Sequence, residues 1–209
     1  MAQPLTKKPP STTRAPCLYT LRIELQPDEL QPLIWRSLEV DGRISLGKLH
    51  HFLQAAFGWT DAHLHEFVIR DRVFALPHPE DALDDRRIED ERKALLNRLV
   101  GAGDSFLYRY DLGDNWQHLV IVETVQENLD HDSHGGAWVI DGARACPPED
   151  VGGVSGYHQF LETVLADSHS DEALRLLQWA GGWFDPEQFD RRAANAAIQR
   201  LLWNRWGGK

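Results

Sequence analysis

Residues 105–123 read SFLYRYDLGDNWQHLVIVE and carry the strongest structural signal in the chain. Two runs rich in aromatic and β-branched residues flank Gly113, Asp114 and Asn115, which are residue types that favour turns. The pattern predicts a β-hairpin, with one strand over residues 105–111 and the other over residues 116–123.

A second hairpin and a helix precede this one. Residues 19–25 alternate between apolar and polar side chains, and residues 33–40 follow a turn between Pro27 and Pro32, so two paired strands are expected. Ser45 is a suitable N-cap for the helix and Gly58 a suitable C-terminal stop. Between them, apolar side chains recur at helical spacing at Leu46, Leu49, Phe52, Leu53, Ala56 and Phe57.

Short strands continue through the middle of the chain. Residues 65–69 and 72–76 each predict one strand. Residues 77–93 are polar and rich in acidic side chains, which predicts an exposed loop. Residues 93–100 predict a short helix, which ends at Gly101 and Gly103.

The end of the chain is helical by pattern. One helix is predicted from residue 156, a second after Ser170, and a third from Asp185, where Pro186 and Gln188 complete a typical helix start. Strands that come first and helices that come last predict an α+β fold. We expect antiparallel hairpins with one early helix, followed by a C-terminal set of about three helices packing on the sheet.

Length and composition predict one folded domain. The chain has 209 residues, of which 42% are hydrophobic, so a sizeable core is expected. We expect a single domain over residues 18–206, preceded by a disordered leader over residues 1–17 that is rich in Pro, Thr, Ser and Lys. The side chains expected to be largely buried are Trp35, Leu49, Phe52, Leu53, Phe57, Tyr110, Phe160 and Leu161.

The charge and the cysteine content narrow the classes of function. The formal net charge is −10, which disfavours sequence-independent binding to anionic nucleic acids. Two cysteines are too few for a disulfide-stabilised secreted fold. The N-terminus has no apolar signal-peptide core, and no apolar run reaches the roughly 20 residues that span a bilayer. A cytoplasmic protein without membrane contact is expected.

Strand alternation in the 105–123 hairpin predicts a polar face. If the loop runs from Leu112 to Asn115, the residues on this face are Arg109, Asp111, Trp116 and His118. Asp111 and His118 then become diagonal neighbours, close enough to share a hydrogen bond or a ligand. The opposite face, towards the core, would carry Tyr108, Tyr110 and Leu119. A salt-bridged polar surface explains the same pattern, so both interpretations stay open.

Two histidines suggest a metal. His63 and His65 place two imidazoles on one side of a strand, a pattern that divalent metals exploit. Together with the hairpin, the candidate metal ligands are His63, His65 and His118. Because a two-residue motif often arises by chance, no cofactor is predicted from it, and a divalent metal stays an alternative. The two cysteines exclude a four-thiolate zinc site.

Cys146 opens the acidic loop CPPEDVGG over residues 146–153. Neighbouring acids such as Glu149 and Asp150 disfavour a thiolate, so a buried structural cysteine is the simpler interpretation. The glycines of this loop lack the Lys-Ser/Thr pair of a phosphate-binding P-loop, and ordinary turns explain them. The sequence also contains no Gly-x-Ser-x-Gly, His-Glu-x-x-His or dinucleotide-binding motif.

Several motifs carry a family resemblance when they are taken together. They are Ile34-Trp35-Arg36, Leu49-His50, residues 57–59 and 63–67, residues 108–118 and 142–153, Gly156-Tyr157, and residues 184–190 with Asn195. In combination they resemble the plasmid pRiA4b ORF-3-like proteins over roughly residues 18–202. One departure is Leu112, where the family often has Phe. The resemblance implies an association with plasmids and mobile elements, and it implies no particular reaction.

These observations favour a non-enzymatic binding module, accessory to mobile-element biology, whose partner is unidentified and for which a protein is one candidate. Its candidate binding residues are Trp59, His65, Asp111, Asp114, Trp116, His118, Cys146, Glu149 and Asp150. One alternative is a metal-dependent hydrolase that uses the His and Asp side chains as ligands or acid–base groups. The other alternative is a nucleic-acid-binding protein that uses the basic residues near the two chain ends.

Overall fold

A computed structural model describes residues 17–26, 30–78, 87–127 and 136–204. The strands are β1 (Cys17–Leu25), β2 (Trp35–Asp41), β3 (His65–Ile69), β4 (Arg72–Ala75), β5 (Ile88–Asp90), β6 (Ser105–Tyr110), β7 (Trp116–Glu127) and β8 (Ala137–Ala143). The helices are α1 (Leu46–Phe57), α2 (Leu96–Leu99), α3 (Gly153–Ala166), α4 (Asp171–Trp179) and α5 (Arg191–Trp203).

All eight described strands form one sheet in the order β5-β4-β3-β6-β7-β1-β2-β8. Within it, β4 and β5 pair in parallel and the other neighbours pair antiparallel. The β6–β7 and β1–β2 hairpins lie side by side in the middle, and three helices follow the last strand. The predicted α+β fold is confirmed.

Helix α1 forms as its sequence predicts. The Ser45 hydroxyl accepts the Lys48 N–H, and Gly58 ends the helix at φ 86°, a left-handed conformation that suits glycine. The apolar stripe of α1 is buried in the core, and polar side chains also lie on its buried side. His50 and Gln54 reach the hydroxyl of Tyr108 on β6 from this helix.

Helix α5 packs on α1 and on the edge strand β8. The Asn195 amide bonds both backbone groups of Val139: its Oδ1 accepts the N–H at 2.8 Å and its Nδ2 donates to the carbonyl at 2.9 Å. An exposed strand edge presents unpaired backbone groups to other chains, so this contact covers part of the β8 edge.

The loop of the β6–β7 hairpin is one residue longer than predicted. Tyr110 pairs with Trp116 and Tyr108 pairs with His118, which leaves residues 111–115 in the loop. Asp111 takes φ 53° and Asn115 takes φ 56°, left-handed conformations that a strand cannot contain. The shift of one residue turns the side chains of β7 over relative to β6, so the predicted polar face is wrong for Trp116 and His118. Both lie on the buried face together with Tyr108 and Tyr110, which face the core as predicted, whereas Leu119, also predicted there, is only partly buried.

Three further elements differ from the predictions. Strand β5 lies inside the segment predicted as a loop, and β8 was not predicted. Helix α5 begins after Asp190, whose carboxylate accepts the N–H groups of Arg192 and Ala193. Asp185 caps only a turn, because the Pro186 carbonyl accepts a hydrogen bond from Ala145 and is not available to a helix.

Most of the predicted core is buried. The buried residues are Leu49, Phe52, Leu53, Phe57, Tyr110 and Phe160. Trp35 and Leu161 are only partly buried, and the Arg22 guanidinium covers the Trp35 ring at 4.1 Å. Apart from Cys17, the predicted leader lies outside the described residues. Within the described ranges, no helix is long and apolar enough to cross a membrane.

Candidate functional site

Three segments that are distant in sequence meet at one place, which we call the loop junction: residues 59–64, residues 110–115 and residues 146–153. The Trp59 indole donates to the Pro147 carbonyl at 3.1 Å, and the Thr60 N–H donates to Glu149 at 2.8 Å. The Tyr110 hydroxyl also donates to Glu149, at 3.0 Å. These contacts fix the three segments against one another.

His63 lies in the middle of the loop junction. Its Nε2 atom is buried and has no hydrogen-bond partner among the described residues, although a quarter of the side chain (25%) is exposed. The carboxylate oxygens nearest to Nε2 are Asp150 Oδ1 at 3.2 Å, Glu149 Oε2 at 3.6 Å and Asp111 Oδ2 at 3.7 Å. The imidazole nitrogen thus faces three carboxylates without bonding any of them.

The protein orients two of these carboxylates. Asp111 Oδ1 accepts the N–H groups of Gly113 and Asp114, so its second oxygen is the one that faces His63. Glu149 Oε1 accepts hydrogen bonds from Thr60 and Tyr110. Asp114 has a different task, since its Oδ2 accepts the Gly152 N–H and joins the hairpin loop to the start of α3. Asp111 therefore both stabilises its turn and presents a free oxygen.

Gly153 allows the close approach of this loop to the hairpin, and Gly156 allows a tight turn within the loop's own segment. A Cβ on Gly153 would lie 2.9 Å from the Asp114 carbonyl oxygen, and one on Gly156 would lie 1.9 Å from the Val151 carbonyl oxygen. Gly153 also has φ 67°, which L-residues rarely adopt. A side chain at Gly153 would push the loop that carries Asp150 away from the hairpin, and one at Gly156 would distort the turn that leads from Val151 into α3.

A second histidine cluster lies beside α1, in the core. His50 and His65 are buried there, and Asp61 completes a group whose ligand-type atoms are all within 4.8 Å of one another. His50 Nε2 is 2.7 Å from Asp61 Oδ1, and His65 Nε2 is 2.9 Å from Glu91 Oε2. Each imidazole of this pair therefore has its own carboxylate.

Hydrogen bonds close this cluster into a ring of partners. Gln54 donates to the Tyr108 hydroxyl and accepts the Asp61 N–H, while His50 contacts both Tyr108 and Asp61. Burial lowers the pKa of His50 to about 4, so the imidazole is neutral at pH 7. A neutral ring fits if Nε2–H donates to Asp61 and Nδ1 accepts from Tyr108. Burial alone would raise the pKa of Asp61, but hydrogen bonds from His50 and His51 lower it overall.

The ring geometry of the buried pair does not suit a metal. The imidazoles of His50 and His65 stack with centroids 3.4 Å apart and planes within 2° of parallel. A metal bound by imidazole lies close to the plane of the ring, along the nitrogen lone pair. Because the planes of the two stacked imidazoles are parallel and do not coincide, no single point lies in both planes, and one ion cannot bind both rings in this arrangement. The buried cluster is therefore a hydrogen-bonded part of the core, although its atoms are close enough for a ligand set.

The predicted metal ligands are not brought together. His63 belongs to the loop junction, His65 to the buried cluster and His118 to neither. His118 is fully buried, with Nδ1 3.3 Å from the Tyr108 carbonyl oxygen and its ring nearly perpendicular to Trp59. Burial lowers the pKa of His118 to about 3. The corrected hairpin register explains this position, because it turns His118 towards the core.

The other predicted binding residues divide between the core and the junction. Trp59 and Trp116 are buried with aromatic neighbours, so they pack on the core side of the junction. Burial raises the pKa of the Cys146 thiol well above its ordinary value, although the nearby Arg36 acts in the opposite direction. The thiol therefore stays protonated. The predicted residues that meet at the junction surface are Asp111, Asp114, Glu149 and Asp150.

Sequence reasoning missed several residues around both clusters. His50 occupies a position on the apolar stripe of α1, four residues after Leu46, and a histidine on such a stripe signals a buried polar partner. Asp61 follows the helix stop at Gly58 and carried no signal of its own. Thr60 and Glu91 were missed as well, because their partners are distant in sequence.

The fold and the junction define a class of α+β protein in which an eight-stranded sheet supports a carboxylate-rich meeting point of three loops. Comparison with known proteins assigns the family: the chain belongs to the plasmid pRiA4b ORF-3-like proteins, whose family model matches residues 18–193. This result confirms the resemblance seen in the motifs.

Two relatives illustrate the match. The chain is 37% identical over 176 residues to the "Uncharacterized protein y4hQ" of Sinorhizobium fredii (strain NBRC 101917 / NGR234), covering 84% of this chain and 86% of that protein. It also resembles the crystal structure of the protein of unknown function MM3350 from Methanosarcina mazei Go1, with a TM-score of 0.74 and 30% identity. That alignment covers 86% of this chain and 97% of MM3350.

Proposed function

We propose that this protein is a non-enzymatic binding module that captures a positively charged ligand at the loop junction. One observation carries the proposal: carboxylates converge around His63, and none of them forms an ion pair with a lysine or arginine of the described residues. These carboxylates are Asp111, Glu149 and Asp150, and Asp114 lies in the same loop junction, where it accepts the Gly152 N–H. Like charges at close range raise the local energy, and a cation relieves that cost.

Several acidic side chains elsewhere in the described structure are paired with arginine, whereas others, such as Glu123 and Glu162, are exposed singly. Asp41 is bound by Arg43, Glu89 by Arg72, and Asp90 by Arg92. The junction differs from both groups because three of its carboxylates lie within 3.2–3.7 Å of one imidazole nitrogen and have no lysine or arginine partner among the described residues. A cluster of one sign in a partly enclosed site attracts ligands of the opposite sign.

The state of the nucleophilic side chains supports binding over catalysis. Burial raises the pKa of the Cys146 thiol, and burial together with Glu149 raises the pKa of the Tyr110 hydroxyl. Both groups stay protonated at neutral pH, so neither supplies an activated nucleophile at the junction. The family name supports the further proposal that the module accompanies plasmids or mobile elements. We propose a cytoplasmic location. We also propose a single domain, and the family match over residues 18–193 supports this second point.

Charge-matched variants test the binding function. Asp111→Asn with Asp150→Asn neutralises the junction, and Glu123→Gln with Glu162→Gln removes the same charge from exposed positions elsewhere. We expect calorimetric titration with spermidine, an oligo-arginine peptide and divalent cations to show binding that the junction pair loses and the control pair keeps. Equal loss in both pairs would trace binding to the overall charge of −10 and refute the proposal.

A further inference from the structure

We propose that the loop junction is a binding site for a divalent transition-metal ion, with His63 Nε2, Asp111 and Asp150 as ligands. The inference rests on the proposed function, because it names the cation that the junction captures. It concerns one imidazole and two carboxylates whose ligand atoms all lie within 4.8 Å of one another.

The spacing of the donor atoms fits an ion. In a tetrahedral zinc site with bonds of 2.0–2.1 Å, neighbouring ligand atoms are about 3.3 Å apart. The oxygens around His63 Nε2 lie at 3.2, 3.6 and 3.7 Å. The 3.2 Å contact to Asp150 is at the long end of the hydrogen-bond range, but it is not aligned as a hydrogen bond, and Nε2 is buried without any such partner. A shared cation explains why the imidazole faces several oxygens at once.

The donor atoms are also free to bind. The turn uses Asp111 Oδ1, and Oδ2 remains for an ion. Glu149 Oε1 is held by Thr60 and Tyr110, while Oε2 accepts a longer contact of 3.2 Å from the Tyr110 hydroxyl and lies 3.6 Å from His63 Nε2, where its second lone pair can complete the set. Partners that orient a ligand in this way are typical of metal sites.

The ligand types select a class of ion. Imidazole nitrogen suits Zn²⁺ and neighbouring first-row ions, whereas Mg²⁺ and Ca²⁺ prefer oxygen ligands alone. The Asp150 side chain is 69% exposed, so the site opens to solvent and leaves room for water or a ligand from a partner. An ion here would tie residues 59–64 to the hairpin loop and to the start of α3.

Zinc titration of the full chain, prepared without a histidine tag and treated with chelator, tests the assignment. We expect one equivalent of Zn²⁺ by calorimetry, confirmed by elemental analysis. His63→Ala should weaken Zn²⁺ binding by at least about 100-fold, beyond the loss usual for residues that only orient a ligand. Asp111→Asn is a second test, because its amide oxygen still accepts the turn hydrogen bonds. The matched control is His158→Ala, an exposed histidine on α3. Circular dichroism and the melting temperature verify that each variant is folded.

Each outcome has a distinct meaning. Folded wild-type protein that binds no Zn²⁺, or a His63→Ala variant that binds it as well as wild type, overturns the metal site. Binding of Mg²⁺ that does not depend on His63 also overturns it, in favour of a site for hard cations. If Zn²⁺ does not bind but spermidine or oligo-arginine binds through Asp111 and Asp150, the metal inference fails and the proposed function stands. If neither kind of cation binds, both fail.

Discussion

His63 and His65 are two residues apart, yet they lie in surroundings of opposite character. His65 is buried, bonded to Glu91 and stacked on His50, which is itself bonded to Asp61 and Tyr108. His63 is partly exposed, and its buried nitrogen has no hydrogen-bond partner within the described ranges. The two clusters use the same residue types, so composition does not distinguish them.

The two clusters differ in hydrogen-bond saturation and not in the proximity of their side chains, and we use saturation to distinguish a structural cluster from a proposed binding site. A buried network in which every group has a partner stabilises one conformation and leaves nothing for a ligand. An orphaned buried nitrogen among uncompensated carboxylates is costly by itself, and a ligand that completes it removes the cost. The buried pair should therefore control stability and the loop junction should control binding.

The largest expected effect is acid destabilisation through the buried imidazoles. In the unfolded chain histidine protonates below about pH 6.5, whereas the folded pKa is about 4 for His50 and about 3 for His118. Between pH 6.5 and 4 the unfolded chain binds more protons than the folded protein, so the free energy of unfolding falls as pH falls. We expect a loss on the order of 5 kcal/mol across this window, and these groups contribute no change above it.

Urea unfolding at several pH values measures this loss. His118→Phe removes one of the two titrating groups and should reduce the slope by about half. Asp61 adds little in this window, because its folded pKa is lowered and the unfolded side chain protonates at about pH 3.9, so the stability linked to it is lost mainly below about pH 4. A flat profile from pH 6.5 to 4 would show that the buried imidazoles are not neutral.

The next largest effect separates the two clusters directly. His50→Ala leaves a cavity and removes the partner of both Asp61 and Tyr108, so it should lower the free energy of unfolding by about 3–5 kcal/mol. His63→Ala removes a partly exposed ring without hydrogen bonds and should cost less than about 1 kcal/mol in metal-free protein. Chemical denaturation with chelator present compares the two variants. Equal losses would contradict the division between a structural and a functional cluster.

A matched pair of Tyr→Phe variants sharpens the same comparison. Tyr108→Phe leaves His50 Nδ1 and the Gln54 amide unpartnered in the core, which should cost about 2–3 kcal/mol. Tyr110→Phe removes bonds to Glu149 and to the Ala62 N–H at the edge of the junction, where water can replace them, and should cost about 1 kcal/mol. Thermal unfolding measures both losses of stability. A larger loss for Tyr110→Phe than for Tyr108→Phe would mean that the hydrogen bonds of the junction stabilise the fold more than those of the buried cluster.

Local chemistry made some of this structure predictable and left the rest open. The two ends of α1 could be predicted from Ser45 and Gly58, because cap residues act within one turn of the helix. The hairpin register was wrong by one residue because Asp111 can extend a strand or adopt a left-handed turn, and the backbone bonds of the loop select the turn. Asp185 and Asp190 offer equal cap chemistry, and only the distant Ala145 N–H excludes the first. The pairing of His65 with Glu91 depends on tertiary packing that spacing does not encode.

The smallest expected effect concerns Asp150 at the open side of the junction. Its carboxylate oxygen lies within 4.8 Å of the ligand atom of Asp111, so the two like charges repel in metal-free protein. Water and salt screen a largely exposed carboxylate, so Asp150→Asn should raise the free energy of unfolding by only about 0.3–0.5 kcal/mol at low salt. Asn tolerates the φ of 57° at this position, so the backbone gives no opposing effect. The gain should disappear in 1 M NaCl, where the screening length is about 3 Å, and it should be absent in the surface control Glu162→Gln. A decrease of more than about 1 kcal/mol in the free energy of unfolding would instead mean that the Asp150 carboxylate stabilises the fold. Asp150 would then be a structural residue and would no longer count among the proposed metal ligands.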